Sequence, residues 1–151
     1  MTANPSAPVF RPPTAVERGF NRLFGFLVGL GFGLKHNYLL QVRGRKSGQL
    51  YSTPINLLET GGKRYLVAPR GRTPWVRNAE AAGEIMLKKG RSRQIYRLRP
   101  VADTEKSALL KVYLDSFKTT VQRYFPVPAG SAAERFASIA ANYPVFELTQ
   151  K

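Results

Sequence analysis

Five consecutive residues, Gly44-Arg45-Lys46-Ser47-Gly48, place a planar guanidinium, an ammonium point charge and a neutral hydroxyl between two glycines. That set suits a phosphate. The glycines permit a tight or left-handed backbone that can turn amide N–H groups toward one anion, and the side chains add charged and neutral donors. The same residues also suit a charged, solvated hairpin tip. A second stretch, Ala68-Pro69-Arg70-Gly71-Arg72-Thr73-Pro74-Trp75, runs into a helix start, where unpaired amides favour anions and Arg70 and Arg72 stand just ahead. Two anion-seeking loops in one short chain suggest a single extended anionic ligand. Trp75 either stacks on a ring of that ligand or fills the core, and Asn78 either meets a ligand edge or faces solvent.

Composition narrows the chemistry around these loops. The 151 residues carry a formal charge of +15 and no cysteine, so disulfides, thiolate metal sites and cysteine nucleophiles are excluded. His36 is the one histidine, which leaves a zinc or non-haem iron site to be built almost entirely from carboxylates, so no metal is expected. The charge is concentrated: residues 35–99 hold 15 Lys or Arg against the three acids Glu59, Glu80 and Glu84, a net +12. A field of that kind gathers polyanions, whether nucleic acid, anionic membrane or a phosphorylated and carboxylated small molecule.

The elements that must position these loops are legible from pattern. Residues 1–13, rich in Pro, Ala, Ser and Asn, form a flexible lead-in without the basic start and cleavage site of a secretory signal. Thr14 and Glu17 have capping-box spacing and open an apolar helix from Val16 through Leu34. Its uncharged stretch from Leu23 to Leu34 is too short to cross ~30 Å of hydrocarbon, which takes about twenty residues. It either covers one end of the fold or rests peripherally on a membrane or beside an apolar pocket. Glycine-punctuated β segments follow at 38–43, 50–58, 63–68, 84–89 and 92–101, and a helix from Pro74 to Ala82 is inserted before Gly83. Asp103 caps a helix with Leu109, Leu110, Tyr113, Leu114 and Phe117 at i, i+3, i+4 spacing. A second capping box, Ser131 with Glu134, opens a short helix to Ala141, and residues 144–148 close with a strand. Strands at this spacing predict a small antiparallel barrel or sandwich in one domain spanning 14–151.

Gly44-Arg45-Lys46-Ser47-Gly48 with Thr53-Pro54, the Gly-rich loop before Trp75-Val76-Arg77-Asn78, and the terminal Pro144-Val145-Phe146-Glu147-Leu148 resemble the deazaflavin-dependent nitroreductase family over roughly residues 38–101 plus the last strand. The resemblance implies an α+β fold: a split β-barrel related to the FMN-binding, pyridoxamine-phosphate-oxidase-like fold, with an N-terminal helix and C-terminal helices. It implies coenzyme F-420, an 8-hydroxy-5-deazaflavin, as hydride carrier in a cytoplasmic oxidoreductase. Family members reduce nitroimidazole prodrugs, quinones and unsaturated carbonyl compounds. Carried over residue by residue, Arg45, Lys46 and Ser47 would face the phosphate and acidic tail; Gly48 and Arg70 are further cofactor-binding candidates. Pro54, Ile55, Ala68 and Pro69 would line the ring, and Trp75 and Asn78 would lie near it. Tyr113, Tyr124 and Tyr143 are the candidate catalytic phenols.

The resemblance accounts for the concentrated charge, because that coenzyme bears a phosphodiester, a lactyl carboxylate and glutamates. Hydride transfer to an electron-poor small-molecule acceptor also needs no acid/base pair, and the nine scattered carboxylates make none by spacing. Two rival readings remain. Related split barrels hold FMN, FAD, haem or lipids. Alternatively, Arg91, Arg93, Arg97 and Arg99 with Tyr96 would form a nucleic-acid face, but strand alternation puts Tyr96 opposite Arg97 and Arg99, a poor stacking platform, so no nucleic acid is expected. Related barrels dimerise while deazaflavin reductases of this branch are commonly monomeric, so both states stay open.

Overall fold

The computed structural model describes residues 36–151. The lead-in and the helix expected from Val16 through Leu34 lie outside the described residues.

Seven strands, β1 (Asn37–Arg43), β2 (Leu50–Asn56), β3 (Leu58–Thr60), β4 (Lys63–Val67), β5 (Glu84–Lys89), β6 (Ser92–Pro100) and β7 (Val145–Gln150), form one sheet in the order β2-β1-β5-β6-β7-β4-β3. Every pairing is antiparallel. The strand expected over 50–58 is divided at Leu57, with a physical reason. Leu57 and Leu58 are both buried. Adjacent strand residues point to opposite faces, so this chain must enter two different cores. Leu57 N–H donates to the His36 carbonyl at 2.8 Å, beside β1, while Leu58 already pairs with Tyr65 of β4. One bent strand thus joins the two edges of the sheet and curls it into a barrel.

The interior is filled by alternate residues: Leu40 and Val42 of β1, Leu66 of β4, Ile85 and Leu87 of β5, Tyr96 of β6, and Phe146 and Leu148 of β7. Helix α1 (Pro74–Ala82) adds Val76 and Ala79 to this cluster. The Thr73 backbone is extended ahead of Pro74, and Gly83 ends the helix in the left-handed conformation at φ 74°, where a Cβ would be strained. Val67 and Val145 face outward into a second core with Leu110, Tyr113, Leu114 and Phe117 of helix α2 (Lys106–Val121) and Phe136 and Ile139 of a 3-10 run, Ala133–Asn142. Burying each such side chain stabilises the fold by roughly 1.5–3 kcal/mol.

Two expected caps take other forms. Asp103 opens a 3-10 turn, Asp103–Glu105, and its carboxylate pairs with Lys106 Nζ at 2.7 Å, so α2 begins three residues late. The Ser131–Glu134 box does not cap an α-helix, because the Ser131 hydroxyl donates to the Pro128 carbonyl at 2.6 Å within a turn. On β6, Tyr96 is 4% exposed inside the barrel while Arg93, Arg97 and Arg99 are exposed outside, so no aromatic platform accompanies those cations.

Candidate functional site

The turn between β1 and β2 is built from its own backbone. Gly44 N–H donates to the Gln49 carbonyl at 2.7 Å, Gly48 N–H to the Gly44 carbonyl at 3.0 Å, and Gln49 N–H to Ser47 Oγ at 3.2 Å. Gly48 holds φ at 73°. Arg45 is tied to a remote element: its backbone N–H and its Nη1 both donate to Asn78 Oδ1 of α1, at 3.1 and 2.7 Å. Four of the amides in and after this turn are therefore used inside the protein. An anion at this turn would meet the side chains of Arg45, Lys46 and Ser47 rather than these four amides.

Asn78 is buried rather than facing solvent, and its Oδ1 is taken up by Arg45. Its carboxamide clamps the turn against α1, and the result is a cleft of about 390 Å³. Arg45, Lys46 and Ser47 form one side of it, and Pro74, Trp75 and Asn78 the other. Among the described residues no carboxylate lines this cleft or pairs with Arg45 or Lys46. Arg72, just ahead of α1, is neutralised by Glu80 of that helix at 2.8 Å. The Thr73 hydroxyl, at the N-terminus of α1, is buried with no hydrogen-bond partner and makes no capping bond. Buried hydroxyls are nearly always satisfied, so this one is consistent with a further acceptor at the helix start.

Three lining residues were not among the expected site residues: Gly44 and Pro74, which stand within the two loops read from the sequence, and Tyr51, which sequence reasoning missed altogether. A Cβ on Gly44 would lie 2.7 Å from Tyr51 Cε2, so the ring occupies the space a side chain would take. The one signal available was an aromatic on a strand directly after the turn, half-exposed where aromatics are usually covered.

The cleft gathers Arg45, Lys46, Ser47, Trp75 and Asn78; the other expected site residues lie elsewhere. Gly48 is an exposed turn residue whose role is conformational. Pro54 and Ile55 are on edge strand β2 opposite Leu39 and Tyr38. Ala68 is buried at the end of β4, its N–H on the Pro144 carbonyl, and Pro69 follows half-buried. The Arg70 guanidinium stands 5.8 Å from the Tyr124 ring centroid, on a ring that Arg123 also meets at 4.8 Å. Tyr113 and Tyr143 are closed inside the second core. Tyr143 stacks on Phe125 at 4.4 Å and donates its hydroxyl to the Tyr124 carbonyl at 2.6 Å. Burial raises both phenols above the ordinary tyrosine range. Tyr124 is the half-buried one of the three.

Comparison with known proteins follows the geometry. No curated protein matches the chain in sequence. Among solved structures, the F420-H2 dependent reductase FDR-A superposes with a TM-score of 0.50 at 20% identity, covering 76% of this chain and 95% of that one. The protein Atu2129 of Agrobacterium tumefaciens gives 0.57 at 16% identity over 93% of this chain and 59% of its own. The heme storage protein HutZ of Vibrio cholerae gives 0.53 at 8% identity over 78% and 82%. At such identities the likeness establishes the fold, a split β-barrel of the pyridoxamine-oxidase-like kind. The family described as F420H(2)-dependent quinone reductase matches residues 16–127, beyond both ends of 38–101 and short of β7. With three quarters of its length inside that match, a fold to suit and a carboxylate-free basic cleft, this chain belongs to the F420H2-dependent quinone reductase family, oxidoreductases whose cofactor is coenzyme F-420.

Proposed function

We propose that the protein reduces an electron-poor small molecule, a quinone, enone or nitroaromatic, with the coenzyme anchored in the cleft between the β1–β2 turn and α1. The observation that carries this reading is the convergence of Arg45, Lys46 and Ser47 with the start of α1 on one carboxylate-free cleft. Arg45, Lys46 and Ser47 would hold the phosphate and acidic tail. Pro54, Ile55, Ala68 and Pro69 would line the ring, with Trp75 at the junction, and Arg70 would add charge from the neighbouring loop. The donor set fits the group: two cations and a hydroxyl line the cleft, with no competing anion among the described residues.

When bound, the reduced deazaflavin supplies the hydride. The protein's share is to orient both reactants, keep water out and provide a field matched to the anionic tail. Tyr113 and Tyr143 are enclosed, so the proton that accompanies reduction falls to Tyr124 or to solvent. Residues 16–34, an apolar run that precedes β1 in the chain, would touch an anionic membrane from the cytoplasmic side. Full-length protein failing to co-sediment with anionic liposomes at low salt removes that part of the proposal.

The test of the main reading is fluorescence titration of the purified protein with F-420, FMN, FAD and haem at two salt concentrations, followed by anaerobic assay of quinones, enones and nitroaromatics. Salt-weakened binding of F-420 alone, at micromolar affinity or better, is the expected result. Tight binding of FMN, FAD or haem instead would retain the fold and overturn the function.

A further inference from the structure

Tyr51 is the cleft residue with no assigned role. It is a large aromatic with 47% of its surface exposed, on edge strand β2, and its hydroxyl lies 3.4 Å from Ser47 Oγ. The backbone makes room for it, since only glycine at position 44 leaves space for the ring. An exposed aromatic kept in place this way costs apolar hydration that no core contact repays, which points to a task at the cleft.

Hydrogen-bond direction supplies the task. A serine hydroxyl has one proton to give and two lone pairs. Gln49 N–H already fills one lone pair of Ser47 Oγ at 3.2 Å. If Tyr51 donates into the other, the single Ser47 proton has only one direction left, into the cleft. The ionised oxygens of a phosphate or phosphodiester accept and do not donate, so they bind best to a Ser47 whose proton is committed to them. The reverse arrangement, Ser47 donating to Tyr51, would turn lone pairs toward the anion and weaken binding.

We propose that Tyr51 is a positioning residue for anion binding: its hydroxyl donates to Ser47 and thereby orients the Ser47 proton toward a phosphate held beside Arg45 and Lys46. The proposal rests on the reading of this cleft as the anion site of the coenzyme. Tyr51 itself is not a phosphate ligand in this arrangement. It acts through Ser47, and the two hydroxyls behave as one unit.

The experiment is a double-mutant cycle on the full-length chain with Tyr51→Phe, Ser47→Ala and the double variant. Each is titrated with F-420 by fluorescence and with inorganic phosphate by NMR. Tyr51→Phe retains the ring and an already half-exposed position, so folding is not at stake. Each single variant is expected to bind about three- to tenfold more weakly, the range for a lost hydrogen bond to a charged ligand, and the double variant to match Ser47→Ala within about twofold. Tyr51→Phe binding like wild type, or losses that multiply in the double variant, overturns the proposal. Wild-type protein that binds phosphate with this non-additivity but does not bind F-420 upholds the Tyr51 role and removes the coenzyme reading. Wild-type protein that binds neither removes both.

Discussion

Two turns of this barrel carry nearly the same chemistry and come to different ends. The β1–β2 turn reads Gly44-Arg45-Lys46-Ser47-Gly48, and the β5–β6 hairpin reads Lys88-Lys89-Gly90-Arg91-Ser92-Arg93, with more cations than the first. Leu39 of β1 pairs with Lys88 of β5, so the two turns lie at opposite ends of neighbouring strands. The first is met by α1, whose Asn78 takes two hydrogen bonds from Arg45 and leaves a cleft between helix and turn. Among the described residues no helix meets the second. Lys89 lies 5.0 Å from the Tyr38 ring centroid, and Arg91 and Arg93 are exposed. Cation density is the property the turns share, and the element packed against the turn is the property they do not. On the proposed reading, a site is made by the second element, which holds Arg45 in place before a ligand arrives.

That contrast predicts a large asymmetry. Arg45→Ala with Lys46→Ala removes two charge-assisted contacts, each worth about 1.5–3 kcal/mol, so F-420 affinity should fall by about 100-fold or more in fluorescence titration. Charge reversal of Lys88, Arg91 and Arg93 together should change it by no more than about twofold near 0.15 M salt, where the Debye length is roughly 8 Å. Equal losses from the two ends would mean that only the total field matters. The next largest effect isolates the clamp. Asn78→Ala leaves every cation of the turn in place and strips Arg45 of its acceptor. Coenzyme affinity should drop about tenfold, and the midpoint of thermal unfolding should fall by about 3–8 °C, from a loss of roughly 1–3 kcal/mol. An Asn78→Ala protein with lowered stability but unaltered affinity would show that α1 supports the fold without organising the turn.

What could be read from the sequence divides along the same line. Arg45, Lys46 and Ser47 and the helix start at Pro74 were legible because turn and cap chemistry is local, encoded within about five residues. The bond from Arg45 to Asn78 spans 33 positions and depends on how α1 lies on the barrel, which no short-range pattern reports. Tyr51 escaped notice because its place in the cleft comes from β2 being an edge strand, a fact of sheet order. The division of the expected strand at Leu57 has the same origin, since Leu57 and Leu58 look like any apolar pair until two cores claim one each. Ser131 and Glu134 mislead in the opposite direction: their spacing fits a capping box, but Pro128 three residues earlier offers the serine hydroxyl a nearer acceptor. Pattern reports intention within a turn of chain and is silent about competition from outside it.

The exposed hairpin has a smaller consequence for stability. Lys88 and Arg93 stand directly opposite each other on β5 and β6. Like charges in that register are destabilising, so Arg93→Glu should raise stability by about 0.2–1 kcal/mol and the unfolding midpoint by about 1–3 °C. An unchanged midpoint would mean that solvent screens the pair completely, which would set the hairpin still further apart from the clamped turn.

The smallest effect is also the most local, and it asks whether the hairpin's field reaches any side chain at all. His36 sits at the start of β1 with its ring 4.6 Å from that of Phe117. Its pKa is lowered from the ordinary value of 6.5 by burial first and by the charge of Lys89 second. A histidine whose folded pKa lies below its unfolded one favours folding while neutral. Its contribution is present above pH 6.5, because below that the unfolded chain takes up a proton that the native state resists, and it is lost as pH falls through the folded pKa. Lys89→Ala should therefore move the His36 pKa back toward its ordinary value without restoring it, since burial remains. The protein has one histidine, so a single imidazole resonance followed by NMR from pH 4 to 8 reads the change without ambiguity. A His36 titration identical in wild type and Lys89→Ala would show that the hairpin's charge is spent in solvent. A rise would show that the hairpin's charge acts on its immediate neighbour.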